Sequence, residues 1–248
     1  MRTVYAFWLR ELKRYVRTPA QIIGGLGQPL LLFAALGLGL GPIFAQSGRG
    51  SYLQFLAPGV ISMSVLFHAA FAGLALVWDR QVGFLKVALA SPAPRSYIVL
   101  GRLLGGATSA VLQGMLVLLA CLLAGFRPIS LLSTGLALVT LQLVGTVACA
   151  IGTAIGSRLE STQSFTAIMN FFLTPMFFLS GALFPLEGLP KVLHVIAWAN
   201  PFSYGVDGLR ETLTGTAHFG VFGDLGVLAL FAVVFVWAST WVFARIQA

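Results

Sequence analysis

The chain has 248 residues, of which 58% are hydrophobic and only 9% are charged, and its formal net charge is +8. Soluble domains carry about 25% charged residues, so a water-soluble fold is excluded. In a soluble protein this basic balance would suggest nucleic acid; here the simpler cause is that basic residues of membrane proteins gather on the cytoplasmic side.

Charged side chains are missing altogether from 18–48, 51–78, 103–126, 128–157, 161–186 and 225–244. A helix of roughly 20 apolar residues crosses a hydrocarbon core about 30 Å thick, and lipid confines a spanning backbone to helices or a closed barrel. These lengths specify helices. The expected architecture is one all-α integral membrane domain over 1–248, with six transmembrane helices near 22–44, 53–78, 103–126, 130–156, 163–184 and 223–244.

Residues 1–17 precede the first span as a helix in its own right. Val4, Phe7, Trp8, Leu12 and Tyr15 recur at helical spacing on one side, and Arg10, Lys13, Arg14 and Arg17 on the other. That pattern is an amphipathic interface helix in the headgroup plane, with Trp8 as aromatic anchor and Arg10, Lys13 and Arg14 toward anionic lipid. A lipid-surface helix and one that also touches a cytoplasmic protein both satisfy it. The apolar run from 22 to 44 exceeds the about 7–15 residues of a signal-peptide core, so an uncleaved first span is expected.

The longest connection, 79–97, begins with Asp79, placed to cap a short helix with Val82, Leu85 and Leu89 on one face and Arg80 and Lys86 away from it. Ser91-Pro92-Ala93-Pro94 stops that helix, because proline removes an amide donor and restricts its predecessor. A bare linker has no use for an amphipathic turn with such a stop, so the segment reads as a docking helix for a cytoplasmic partner.

Past the fifth span, 185–213 holds two short amphipathic segments broken by Pro185, Pro190 and Pro201, too short to cross and read as re-entrant helices at the outer interface. Gly37 and Gly41, Gly101 and Gly105, and Gly152 and Gly156 have the spacing that lets helices approach closely. Cys121 and Cys149 lie inside spans, form no CxxC or metal spacing, and read as small buried hydrophobes.

Arg49, Arg127, Lys191 and Arg210 fall on one set of connections, and the other eleven of the 15 Lys and Arg on the opposite set. The positive-inside rule therefore puts both termini and the 79–97 loop in the cytoplasm. No GxxxxGK[ST] loop, HExxH or His/Cys cluster occurs, so no catalytic site and no metal site are expected. His68 is read as the only titratable side chain deep in an apolar run, and as a hydrogen-bonding residue between helices. Ion-coupled carriers place ionisable groups in the membrane; a chain lacking them needs its energy from another subunit, pushing on the docking helix.

Several segments carry a resemblance when taken together: RELKRYVRTP, QPLLLF, YLQFLAPGV, DRQVGFLKVALASPAPRS and FFLTPMFFLSGALFPLEGLPKVLHVIAWANPFSYGVDGLRETL. In this order they resemble, nearly end to end, the membrane subunits of type-2 ABC exporters, the group of daunorubicin-resistance and polysaccharide-export permeases. The resemblance implies that Asp79, Arg80, Gly83, Phe84, Leu85, Lys86 and Leu89 form the coupling segment that enters a cleft of the ATPase. It also implies a path lined by spans two and five, with Phe67, Phe71, Asn170, Phe171, Thr174 and Phe178 as candidates, although aromatics at this spacing also serve plain packing.

The implied assembly is two permease subunits, a homodimer more than a paralogue pair, with two copies of a separate ABC ATPase subunit. ATP and Mg would sit on that partner and no cofactor on this chain. The implied location is the prokaryotic cytoplasmic (inner) membrane, and the implied cargo is a hydrophobic or amphiphilic drug, antibiotic or lipid. A polysaccharide or glycolipid export permease and a non-transporting membrane scaffold are the alternatives. A passive channel is disfavoured, since no rings of polar or charged residues mark a pore.

Overall fold

The computed structural model describes residues 1–46, 51–89, 94–186, 190–216 and 220–245, and they are helical almost throughout. Arg49, Leu189 and most of the 91–94 stop lie outside the described residues. α1 (Arg2–Val16) leads through Arg17 and Thr18 into α2 (Pro19–Gln46), which keeps Pro29 and Pro42 inside one helix. α3 (Tyr52–Phe71) and α4 (Leu74–Gln81) form nearly one rod, and α5 (Phe84–Leu89) turns off it. α6 (Arg95–Leu123), α7 (Leu131–Gly156), α8 (Thr162–Phe178), α9 (Lys191–Ala199), α10 (Pro201–Thr214) and α11 (Val221–Ala244) complete the chain.

Among the described residues, five helices are long and apolar enough to cross a membrane: α2, α3 with α4, α6, α7 and α11. The expected fifth span, 163–184, behaves differently. Its helix, α8, ends at Phe178 after 17 residues, three beyond Pro175. Residues 180–183 then form a buried non-helical turn in which Gly181 adopts φ 77°, a left-handed conformation that side chains resist. The Tyr52 hydroxyl donates to the Leu183 carbonyl at 2.9 Å and Arg210 to that of Gly181 at 2.9 Å, satisfying backbone that a helix would otherwise satisfy internally.

α3, α6 and α7 pack mutually at the centre, and α10 wedges among α3, α7 and α11. The central seam is backbone on backbone. A side chain on Gly73 would collide with the Gly152 carbonyl, and one on Gly152 with that of Ala70. Gly101 and Gly105 serve α1 in the same way, meeting Val4, Phe7, Trp8 and Glu11. Gly37 meets only Leu53 and Gly41 has open space around it, so that pair seats no second helix among the described residues. Cys121 and Cys149 are buried free thiols.

The periphery is thin. In the most apolar windows of α2 and α11 only 17% of residues are buried. α8 buries one stripe, Phe165, Met169, Leu173 and Phe177, every fourth residue, against α3, α4 and α7. α6 begins eight residues before the expected span start because nothing between Arg95 and Leu103 breaks a helix, and Arg102 is accommodated inside it by an ion pair.

Candidate functional site

Two features stand out: a charged clamp at the α4–α5 corner and a polar groove along α2, α3 and α8. The clamp starts from Asp79, which does not cap a docking helix. It sits within α4, in phase with the buried face inherited from α3, at 6% exposure. A buried carboxylate is tolerable only when paired. Arg10 of α1 supplies both nitrogens, at 2.8 and 3.1 Å, and Arg102 of α6 approaches the second oxygen. Glu11, also 6% exposed, extends the set, with Arg102 at 3.8 Å and Arg14 at 3.4 Å. Burial works against the Arg10 charge, but the hydrogen bond and charge of Asp79, with that of Glu11, leave its pKa raised. Three helices are thus tied by one ionic knot.

The knot reaches the coupling segment directly, because the Arg10 guanidinium lies over the Phe84 ring at 4.1 Å. Between α4 and α5, Gly83 adopts φ 75°, which makes the corner. The corner rotates the expected faces. Arg80, expected to point away, donates to the Leu159 and Ser157 carbonyls at 3.1 and 2.7 Å and ties α4 to the α7–α8 turn. Gln81 adds a bond to the Glu160 carbonyl at 2.8 Å. Val82, expected on the packed face, is 72% exposed; Leu85 is buried, while Phe84 and Lys86 are exposed. The Leu89 side chain lies outside the described residues.

On α1, Trp8 is a protein contact rather than a free anchor, its indole donating to Thr108 of α6 at 3.2 Å. Arg10 and Arg14 join the clamp, and Lys13 is exposed.

Four of the six path candidates come together. Phe67 and Phe71 of α3 and Asn170 and Thr174 of α8 line a groove of about 470 Å3. Phe171, 83% exposed, lies about a quarter turn round α8, and Phe178, 45% exposed, lies one turn farther along the helix than Thr174; neither lines it. Gln21 and Gln28 of α2, Ser64 and His68 of α3, and Gln113 of α6 complete the lining. Gln28 opens the QPLLLF segment; the others belong to none of the segments that carry the resemblance, and their one sequence signal is an uncharged polar side chain inside an apolar run. The orientations of Gln113 and His68 are held. The Tyr15 hydroxyl donates to Gln113 Oε1 at 2.6 Å, and Gln113 Nε2 donates to the Ile22 carbonyl at 3.2 Å. His68 Nε2 meets Ser109 Oγ at 3.3 Å, the helix-to-helix bond expected of it, with Tyr15 edge-on to its ring at 5.0 Å.

Beyond the clamp, three charged side chains among the described residues are buried outside the uncharged runs. Asp224, at the start of α11, is 0% exposed, and Asp207 and Arg210 of α10 are 5% and 8% exposed. Arg210 stacks on Phe55 at 4.0 Å. Asp207 and Arg210 both fall in the expected outer segment 185–213, and the packing of α10 against α7 and α11 makes them interior.

Comparison with known proteins identifies the family. The family model of the ABC-2 type transporter matches residues 2–214. Nodulation protein J of Rhizobium leguminosarum bv. viciae is 29% identical over 232 residues, covering 92% of this chain and 89% of the relative. The same-named protein of Bradyrhizobium diazoefficiens is 28% identical over 249 residues, covering 97% and 92%. The inner membrane transport permease YadH of Escherichia coli (strain K12) is 27% identical over 235 residues, covering 93% and 90%. The chain belongs to the ABC-2 type transporter family of multi-pass membrane permeases, and membership implies partnership with an ABC ATPase subunit.

Proposed function

We propose that this chain is the membrane-spanning subunit of an ATP-driven exporter in a prokaryotic cytoplasmic membrane, with six crossings, α8 and its following turn making the fifth, and with both termini inside. Two permease copies pair, and two separate ATPase subunits, carrying ATP and Mg, dock on the α5 corners. The observation that carries this reading is the corner itself. Val82, Phe84 and Lys86 are presented outward, and Asp79, Arg80 and Leu85 hold the corner to α1, α6, α7 and α8. A partner moving α5 therefore moves helices on both sides of the groove, a rigid-body change that needs no chemistry on this chain.

The groove supports an amphiphilic cargo. Phe67 and Phe71 offer apolar surface, and Gln28, Asn170 and Thr174 offer hydrogen bonds. Drugs, antibiotics and lipids fit that description. A polysaccharide or glycolipid is the second reading, favoured by the amides and hydroxyls, which suit a hydroxyl-rich head.

The test uses the reconstituted permease–ATPase complex. Val82→Asp and Lys86→Glu alter only the outward face, so the complex should fold normally and lose stimulated ATP hydrolysis and export together. Normal coupling in both variants would remove the corner from the mechanism. A cysteine at position 86 that reacts only with reagent added from outside the cell would reverse the orientation.

A further inference from the structure

A second concavity lies on α1, on the side away from α6. Arg10, Lys13, Arg14 and Arg17 recur every three or four residues, share one helical face, and wall a trough of about 570 Å3 whose apolar lining is Ala6 and Leu9. Arg10 and Arg14 are committed to Asp79 and Glu11, at 2.8 and 3.4 Å. Lys13 and Arg17 are exposed, and neither has a carboxylate within ion-pair distance among the described residues. No acid lines the trough, so two cations stand uncompensated beside an apolar lining.

The trough ends at Thr18, whose carbonyl accepts from the Gln21 amide at 3.0 Å, and Gln21 is the first residue lining the groove. Tyr15, on the opposite face of the same turn of α1, holds Gln113 in the groove wall. The two concavities therefore meet at the elbow between α1 and α2. Charge comes first, then amides, then aromatic surface. An amphiphile with an anionic head presents its groups in that order.

We propose that this elbow is a binding site for the phosphate-bearing head of an amphiphile, seated between Lys13 and Arg17. A phosphate has enough acceptor oxygens to bridge two cations one helical turn apart, and the rest of the amphiphile can run past Thr18 and Gln21 toward the groove. A bilayer phospholipid and an exported phospholipid-like cargo carry the same chemistry. The site rests on the export reading only for whether its occupant travels.

Binding tests it directly. Purified permease in a neutral detergent is titrated with dioctanoyl phosphatidic acid, dioctanoyl phosphatidylcholine and inorganic phosphate, and occupancy is read by native mass spectrometry. Phosphatidic acid should bind saturably and more tightly than the other two. Lys13→Gln and Arg17→Gln should each weaken it about tenfold, while Arg2→Gln, an equal loss of charge elsewhere on α1, should leave it within about twofold. Both trough residues are exposed, and unchanged melting temperatures confirm that the variants fold.

Equal binding of all three probes, an equal effect of Arg2→Gln, or loss of lipid binding when the ATPase subunit is added would each overturn the site. In the assembled complex, stimulation of ATP hydrolysis by phosphatidic acid identifies the occupant as cargo, and binding without stimulation identifies a resident lipid; both support the site. Export itself is judged by the outward-face variants of α5, so failure here leaves that reading standing.

Discussion

Replacing Asp79 with Asn isolates what the ionic knot contributes. The substitution keeps the shape and removes the charge, leaving Arg10 and Arg102 to relax differently. The Arg10 side chain is 33% exposed and can turn to water. The Arg102 side chain is 8% exposed and is left with Glu11 at 3.8 Å. Removing one partner of a buried ion pair costs about 3–5 kcal/mol, and the surviving Glu11 puts the expected loss near the lower bound, about 3 kcal/mol. For a chain of this size that is a fall in Tm of roughly 6–12 °C. Thermal unfolding of the purified permease, followed by tryptophan emission in detergent, reads it. Adding Arg102→Met removes the stranded charge and should restore at least half of the loss, since apolar replacement of a buried pair is often neutral. A single variant within about 1 °C of wild type, or a double variant no better than the single, would refute the assignment of Asp79 to a buried ion pair.

Other outcomes follow from the same geometry. Gly152→Ala should destabilise by about 1–3 kcal/mol, because its methyl meets the Ala70 carbonyl and helix backbones cannot yield, whereas Gly135→Ala, in open space on the same helix, should be neutral or slightly stabilising; paired unfolding curves in mild denaturant compare them. Arg80→Ala leaves the Ser157 and Leu159 carbonyls without their donor and should cost about 1–2 kcal/mol, with faster proteolysis between α7 and α8 as the local readout. In the groove, Asn170→Leu should lower cargo-stimulated ATP hydrolysis while basal hydrolysis persists, and Phe171→Leu, which faces away, should change neither.

Much of the fold was legible because hydropathy and length are one-dimensional. The five long apolar helices and a helical corner fall where the uncharged runs and the 79–89 segment put them. What was not legible is what depends on partners far apart in sequence. Asp79 resembles a cap by local preference, yet its phase is inherited from α3 and its partners lie 69 and 23 residues away. That same phase turns Val82 outward and Arg80 inward. The end of α8 was hidden because 161–186 is uniformly uncharged, and only Pro175 and Gly181 hint at the turn. Among the path candidates, Asn170 and Thr174 share a helical face with each other but not with Phe171, and Phe178, one turn beyond Thr174, does not line the groove. The polar lining from α2 and α6 needed the three-dimensional arrangement, since a lone glutamine in a span carries no pattern.

The glycine seam between α3 and α7 has a mechanical consequence. Where main chains touch, no side chain can swap rotamers to absorb displacement, so Gly73, Gly152 and Gly156 lock those rods into a single strut. In the proposed export cycle, work delivered at the α5 corner is then not dissipated in the middle of the molecule. It must reappear as travel of the loosely seated outer members, α2 and α8, which flank the cleft where a passenger would ride.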